Sequence, residues 1–213
     1  MIVVRPSIEI LTDTSYETML RKIERIGRVC YKSEDKIAEG SAEGFIRAII
    51  KRGHESVIEH ESISVRVTCD RGVTHEIVRH RIASYSQEST RYCNYTSDKF
   101  SNQISCIDIA TGFSYDMNDP ADRKKWEIWQ GAMEAAEKHY FEMIDAGAKP
   151  EEARSVLPNS LKTEIVMTMD LREWRHFIRL RGSRAAHPPI AEITAQIRDE
   201  FVKRYPVFFE DLA

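Results

Sequence analysis

The stretch RHRIASYSQESTRY, residues 79–92, sets three basic side chains together and follows them with hydroxyl, amide and carboxylate groups. Arginine stays charged at any working pH and presents a planar fork of donors that grips phosphate through two bonds. Arg79 and Arg81 flank His80, so a chain leaving a helix there aims them at different parts of a ligand. Ser89 and Arg91 alternate with Thr90, and in an extended segment both point one way, hydroxyl and guanidinium converging on a single anion. The bland alternative is a solvated face. It fits an isolated RHR triplet better than one backed by a Ser/Gln/Ser/Arg run.

A second basic set lies in the C-terminal half: Arg154, Arg172, Arg175, Arg179, Arg181 and Arg184. Arg175 and Arg179 are four apart, as are Arg172 and His176, so they stripe one helix and repel by a few tenths of a kcal/mol unless an anion or carboxylate neutralises them. Glu151, Glu152 and Glu173 are carboxylates that could do so. A nucleic-acid surface would usually bring a basic total and interleaved aromatics, whereas the formal net charge here is −3.

Other chemistries fit less well. His75 and His80 of HEIVRH are five apart, not the four that puts two metal ligands on one helix face, and no metal is expected. No G-x-S-x-G elbow surrounds Ser84, Ser86 or Ser89. Cys30, Cys69, Cys93 and Cys106 are scattered, with no C-x-x-C pair, which predicts reduced thiols in a cytoplasmic protein. The opening MIVVRPSIEI lacks a signal-peptide h-region, and no apolar run approaches the roughly 20 residues a membrane helix needs.

The elements that must hold these groups follow from periodicity. Residues 2–11 read as a strand demoted toward a sheet edge by Pro6. Met19, Ile23, Ile26 and Val29 predict a helix over 15–31; a second runs from Ser41 to Gly53, which suits the position after a helix end. ISVRVTC (63–69) alternates as a half-buried strand, and Asp70 then caps a helix, RGVTHEIVRHR, with Arg79 and His80 in its last turn. Residues 96–120 read as a long polar connection. The stripe Trp126, Trp129, Met133, Ala136, Tyr140, Met143 and Ile144 predicts a long helix ending at Gly147, and Pro150 opens a short one that Pro158 stops.

LKTEIVMTM (161–169) is a second alternating strand. LREWRHFIRLR (171–181) is helical, with Leu171, Trp174, Phe177 and Ile178 inward and the arginines elsewhere, and a last helix spans about 190–203. No internal repeat or linker is visible. The 213 residues, 42% hydrophobic and 31% charged, suit one α+β domain over 1–213.

With these pieces in order, the chain resembles the flavin-dependent thymidylate synthases, whose signature is R-H-R, a seven-residue spacer and a serine. Here it reads Arg79-His80-Arg81, IASYSQE, Ser89. GHESVIEH before it, STRY after it, ARSVLP at 153–158 and the LREWRHFIRLR helix occur in family order. The resemblance implies reductive methylation of dUMP to dTMP, with methylenetetrahydrofolate as carbon donor and NADPH reducing a bound FAD. It also implies a central, mostly antiparallel sheet flanked by helices, and a homotetramer with shared active sites.

Carried over by position, His54, Ser56, Arg79, His80, Arg81, Gln87, Asp170, Arg172 and His176 correspond to flavin-binding positions. Glu76, Ile77, Val78, Arg79, Gln87, Glu88, Ser89, Thr90, Arg91 and Arg154 correspond to the dUMP cradle. Arg181 corresponds to the arginine that polarises the uracil ring, with no cysteine nucleophile needed. The chain departs from residues common in the family at Ser86, Gln87, Asp170 and His187. The competing expectation from the same arginines is a non-catalytic nucleotide- or RNA-binding module.

Overall fold

The computed structural model describes residues 1–96 and 102–213. The predicted 2–11 strand is two strands, β1 (Ile2–Val4) and β2 (Ser7–Ile10), which belong to different sheets. The change falls at Pro6, which has no N–H to offer a ladder and a fixed φ. Two helices follow, α1 (Tyr16–Tyr31) and α2 (Ser41–Lys51). Met19 and Ile23 of α1 are fully buried, whereas Val29, expected on the same stripe, is exposed. Beyond α2, Gly53 takes φ +75°, and the amides of Gly53 and His54 bond back to Ile50 and Ile49. That double bond ends the helix and delivers His54 to the single-turn segment Glu55–His60.

β3 (Ser62–Asp70) then runs into α3 (Arg71–Ile77). β4 (Ser84–Gln87) comes next. β5 (Ser105–Ile107) and α4 (Ile109–Gly112) occupy part of the segment expected to be a connection, and β5 pairs in parallel with β1. Residues 97–101 of that segment lie outside the described residues. The long helix α5 (Pro120–Asp145) turns Met133 and Tyr140 inward as its stripe predicts, against Ile104, Cys106 and Leu161.

The chain closes with α6 (Pro150–Ala153), β6 (Lys162–Asp170), α7 (Leu171–Arg181), α8 (Pro188–Arg204) and α9 (Pro206–Phe209). Among the described residues, no helix is long and apolar enough to cross a membrane.

The main sheet has the order β2-β3-β6-β4 with every pair antiparallel, as expected, and helices flank it. The alternation in both central strands is realised: Ile63, Val65, Val67, Cys69, Ile165 and Met167 are fully buried. They pack against Trp174, Phe177, Ile193, Ile197 and Phe201 from α7 and α8. Burying each such side chain contributes roughly 1.5–3 kcal/mol.

β3 and β6 pair along their whole length in a symmetric register, Ser62 opposite Asp170 and Asp70 opposite Lys162. Each strand ends in an aspartate whose carboxylate caps the next helix, Asp70 accepting from the Val73 amide and Asp170 from the Glu173 amide. A strand–Asp–helix unit therefore occurs twice about an approximate two-fold axis between the strands. The expected absence of a repeat is corrected here. TCDRGVTHEIVRHR and TMDLREWRHFIRLR share T-x-D and R-x-R at one spacing, too sparse a pattern to read unaided.

Arg175 is a second correction. Expected away from the core, it is fully buried on α7. Its fork meets both carboxylate oxygens of Asp211 at 2.7 Å, its Nε donates to Glu55 at 3.1 Å, and Nη1 also donates to the Phe208 carbonyl. It thus ties α7 to the Glu55–His60 turn and to the C-terminal segment. The hydrogen bond from Arg175 holds the Asp211 carboxyl below its usual value, so this stabilisation is present above the ordinary carboxylate range and is lost as pH falls through the lowered one.

Arg175→Ala is expected to lower unfolding stability by about 2–4 kcal/mol, less than a fully buried pair because Asp211 reaches solvent. It should also flatten the acid limb of stability. Urea unfolding against pH checks both, and an unchanged midpoint would refute the anchoring role.

Candidate active site

The RHR triplet was expected in the last turn of its helix, but α3 stops at Ile77. Beyond it the chain tightens, the Arg79 amide donating to the Glu76 carbonyl at 3.3 Å and the His80 amide to that of Ile77 at 3.1 Å, and side chains from elsewhere add donors to the same carbonyls. The Tyr85 hydroxyl lies 2.6 Å from the His80 carbonyl and 2.9 Å from that of Ile77, one proton shared between two acceptors. Burial, helped by the Glu173 charge, pushes Tyr85 up to about 12 and keeps it a donor. Arg181 takes the Glu76 carbonyl through Nη2 at 2.9 Å. Released from the helix, His80 turns inward, 5% exposed, while Arg79 and Arg81 point to solvent.

His80 is the hub. Its Nδ1 lies 3.0 Å from Glu173 Oε1, and its Nε2 accepts from Arg181 Nε at 3.1 Å. Phe177 and His176 crowd the ring at centroid distances of 4.8 and 5.5 Å. Burial lowers the His80 pKa, the Arg181 and His176 charges act the same way, and Glu173 opposes them. Arg181 also approaches Glu76 Oε2 at 3.4 Å, and the other Glu76 oxygen lies 2.9 Å from His187 Nδ1. Side chains from α3, α7 and the α7–α8 loop therefore form one chain of contacts.

Beside this chain of contacts lies an open recess of about 290 Å³, lined by Arg79, His80, Arg81, His176 and Arg181 with one carboxylate, Glu173, and rimmed by the exposed apolar groups of Ile82 and Leu180. Three metal-ligand atoms, from His80, Glu173 and His176, fall within 4.8 Å of one another. Both His80 nitrogens are already engaged, however, and a divalent ion would sit beside a permanent guanidinium. The recess suits an anion better than a cation.

Of the expected cradle residues only Arg79 and Arg181 line this recess; Gln87 to Arg91 and Arg154 do not. The predicted extended stretch at 89–91 is a turn: the amides of Tyr92 and Cys93 donate to the Ser89 carbonyl, and the Arg91 amide donates to Ser89 Oγ at 3.3 Å. The extended geometry that would aim Ser89 and Arg91 one way is thus replaced by a turn, and the Arg91 guanidinium lies 5.5 Å over the Tyr92 ring. Thr90 is buried and accepts from Arg154 Nη1 at 3.4 Å, and Arg91 reaches Glu151 only at 3.8 Å. Glu88 pairs with Lys162 at 3.2 Å. Gln87 faces inward and bridges Thr74 and Thr163, Ile77 is core, and Val78 is exposed.

His54 bonds Tyr31 at 2.7 Å, and Ser56 is exposed on the next turn. Arg172 pairs with Glu59 of that same turn, which packs along α7 beside His176. Asp170 meets a backbone donor, the Glu173 amide of its own helix.

A sequence profile of the family described as "Thymidylate synthase complementing protein" matches residues 11–207. The chain belongs to that family. It is 34% identical over 174 residues to the flavin-dependent thymidylate synthase of Pyrococcus furiosus, covering 81% of this chain and 68% of that protein. The Geobacter sulfurreducens protein of the same name is 32% identical over 191 residues, 86% and 78% of the two chains. That of Mycobacterium tuberculosis is 35% identical over 210 residues, 89% and 78%.

Sequence reasoning missed Tyr85 and Tyr31, and it named Glu173 as a partner for the arginines, not for His80. Asp170 and Glu173 have the spacing of a helix start, which hides the second contact Glu173 makes. Tyr85→Phe should deprive the His80 carbonyl of its donor and lower stability by about 1 kcal/mol. An unchanged urea midpoint would mean that solvent replaces the hydroxyl.

Proposed function

We propose that this chain is a flavin-dependent thymidylate synthase, converting dUMP to dTMP with methylenetetrahydrofolate as carbon donor and NADPH as reductant of a bound FAD. The observation that carries this reading is the convergence of the Arg79–Arg81 loop and the end of α7 on one cation-rich recess. Relatives that bear the name of that activity support it.

The donor set fits a flavin dinucleotide. Arg79 and Arg81 offer exposed guanidinium groups to a pyrophosphate, and Ile82 and Leu180 offer apolar edges to a ring system. His54, Ser56, His80, Arg172 and His176, with Gln87 and Asp170 behind them, complete the candidate flavin positions. When bound, the flavin supplies the hydride that turns a transferred methylene into a methyl group.

The nucleotide is held by Glu76 to Arg79, by Gln87 to Arg91 and by Arg154. A phosphate would readily displace the long, half-exposed Arg91–Glu151 pair. Arg181 has the task of polarising the uracil ring. A guanidinium cannot act as a base, but one preorganised donor of this kind contributes about 3–4 kcal/mol to a developing anion. Cys69 and Cys106 are buried, burial pushes the Cys106 thiol up to about 12, and none of the four cysteines lines the recess.

At about 290 Å³ the open recess of one chain is smaller than most ligand clefts, which run to ~1,000 Å³. A homotetramer whose copies close the recess accounts for that, and for the exposed Val78, Ile82, Tyr92 and Leu180 around it.

Purified protein should be yellow and should release tritium from C5 of labelled dUMP only with NADPH and methylenetetrahydrofolate present. Colourless protein with no release would leave only a binding module. Arg181→Ala should reduce turnover about 10²–10³-fold while keeping its flavin, and retained turnover would refute the polarising role. Arg91→Ala should weaken dUMP more than FAD; equal weakening of both would argue against a nucleotide cradle.

A further inference from the structure

Arg181 Nε always carries a proton, so His80 Nε2, 3.1 Å away, must present a lone pair to it. A neutral imidazole with a bare Nε2 carries its proton on Nδ1, and that nitrogen faces Glu173 Oε1 at 3.0 Å. The common tautomer in water is the opposite one. Here it would set two N–H groups head to head, and the imidazolium would add a second positive charge against the guanidinium. The hydrogen bond at one ring nitrogen decides the state of the other.

We propose that Glu173 is a positioning residue: it locks His80 in the Nδ1-protonated tautomer, so that Nε2 clamps Arg181 and aims the free edge of its guanidinium. Resting on the thymidylate synthase reading, this deepens the role of Arg181. Of its five N–H donors, one is fixed by His80, one by the Glu76 carbonyl and a third, at 3.4 Å, by the Glu76 carboxylate. Two remain for a ligand, and their direction is set by the first.

Everything that faces the ring agrees. From α7 come Glu173, His176, Phe177 and Arg181; from β4, Tyr85 holds the His80 carbonyl. Glu76 of α3 reaches it only through Arg181. Burial lowers the His80 pKa and favours the neutral ring on which the clamp depends. Protonation at low pH would place a hydrogen on Nε2 and push Arg181 away.

The test compares wild-type holoenzyme with Glu173→Leu and Glu173→Gln, by nitrogen NMR of isotopically labelled histidine and by steady-state turnover. Wild type should show the Nδ1–H tautomer at His80. The leucine variant, with no acceptor, should switch to Nε2–H and lose about ten- to a hundredfold in kcat, with flavin content and KM for dUMP nearly unchanged. Glutamine, whose amide oxygen still accepts from Nδ1–H, should keep the tautomer and recover kcat to within about threefold. Because Glu173 raises the His80 pKa, the acid limb of kcat in the glutamine variant should move to lower pH.

An Nε2–H tautomer in wild type, full turnover in the leucine variant, or equal damage from leucine and glutamine would each overturn the proposal. Loss of flavin from the leucine variant would also do so, because it would mark a merely structural role. If wild type turned over no dUMP, the thymidylate synthase reading would fail by itself. The tautomers of the three proteins would still decide what Glu173 does.

Discussion

Ser62 of β3 lies opposite Asp170 of β6, and Asp70 lies opposite Lys162, so the two strands run their full length in one symmetric register. Side chains alternate with a period of two, and a slip of one residue would turn both hydrophobic sets toward the wrong face. The register is therefore held by the core itself, by Val65, Val67, Ile165 and Met167 at zero exposure. What it fixes is larger than a sheet. Each strand delivers a capping aspartate and a helix, and the two helices leave opposite ends of the paired strands. The R-x-R groups that follow lie about a hundred residues apart in sequence, yet Arg181 meets His80.

The two units then diverge. α7 continues to Arg181 because its carbonyls find amides in the following turn. α3 gives way after Ile77 to tighter bonds, Arg79 to Glu76 and His80 to Ile77, and Tyr85 and Arg181 add side-chain donors to those carbonyls. An imperfect repeat in which one copy unwinds gives a loop with free arginines facing a helix with a fixed one. The carboxylates sort the cations in the same way. Glu55 and Asp211 neutralise Arg175 in the interior, and Glu59 pairs with Arg172 at the surface. Glu76 and Glu173 steer Arg181 and His80. A chain of net charge −3 can in this way keep a locally basic recess.

How much of this could be read beforehand follows from the range of the interactions. Alternation in β3 and β6, the stripe of α5, the cap Asp70 and the turn at Gly53 are local patterns and were legible. Pro6 signalled an edge but not a change of sheet, because the parallel partner of β1 lies a hundred residues on in a polar stretch. The Tyr85 and Arg181 donors at the end of α3, and the Asp211 carboxylate that meets buried Arg175, are contacts that no helical period can express. The residues of the site were named through a family likeness, and the structure gathers Arg79, His80, Arg81, His176 and Arg181 at one recess. Glu173 was legible only as a neighbour of the arginines on its own helix, because its contact with His80 spans 93 residues.

Arg79, Arg81 and Arg181 line one small recess, where Glu173 and, beside Arg181, Glu76 offset part of their mutual repulsion. At 4 Å two unit charges repel by about 1 kcal/mol in bulk water and by about 4 kcal/mol near a protein surface. No core packing demands Arg79 or Arg81, which are exposed. Any anion that binds only the folded state recovers this energy and stabilises by RT ln(1 + [L]/Kd), about 2.7 kcal/mol at a hundredfold excess over Kd. Repulsion left in the ligand-free chain is thus one contribution to the affinity of the recess for an anion. Neutralising either exposed arginine would relieve the first only by diminishing the second.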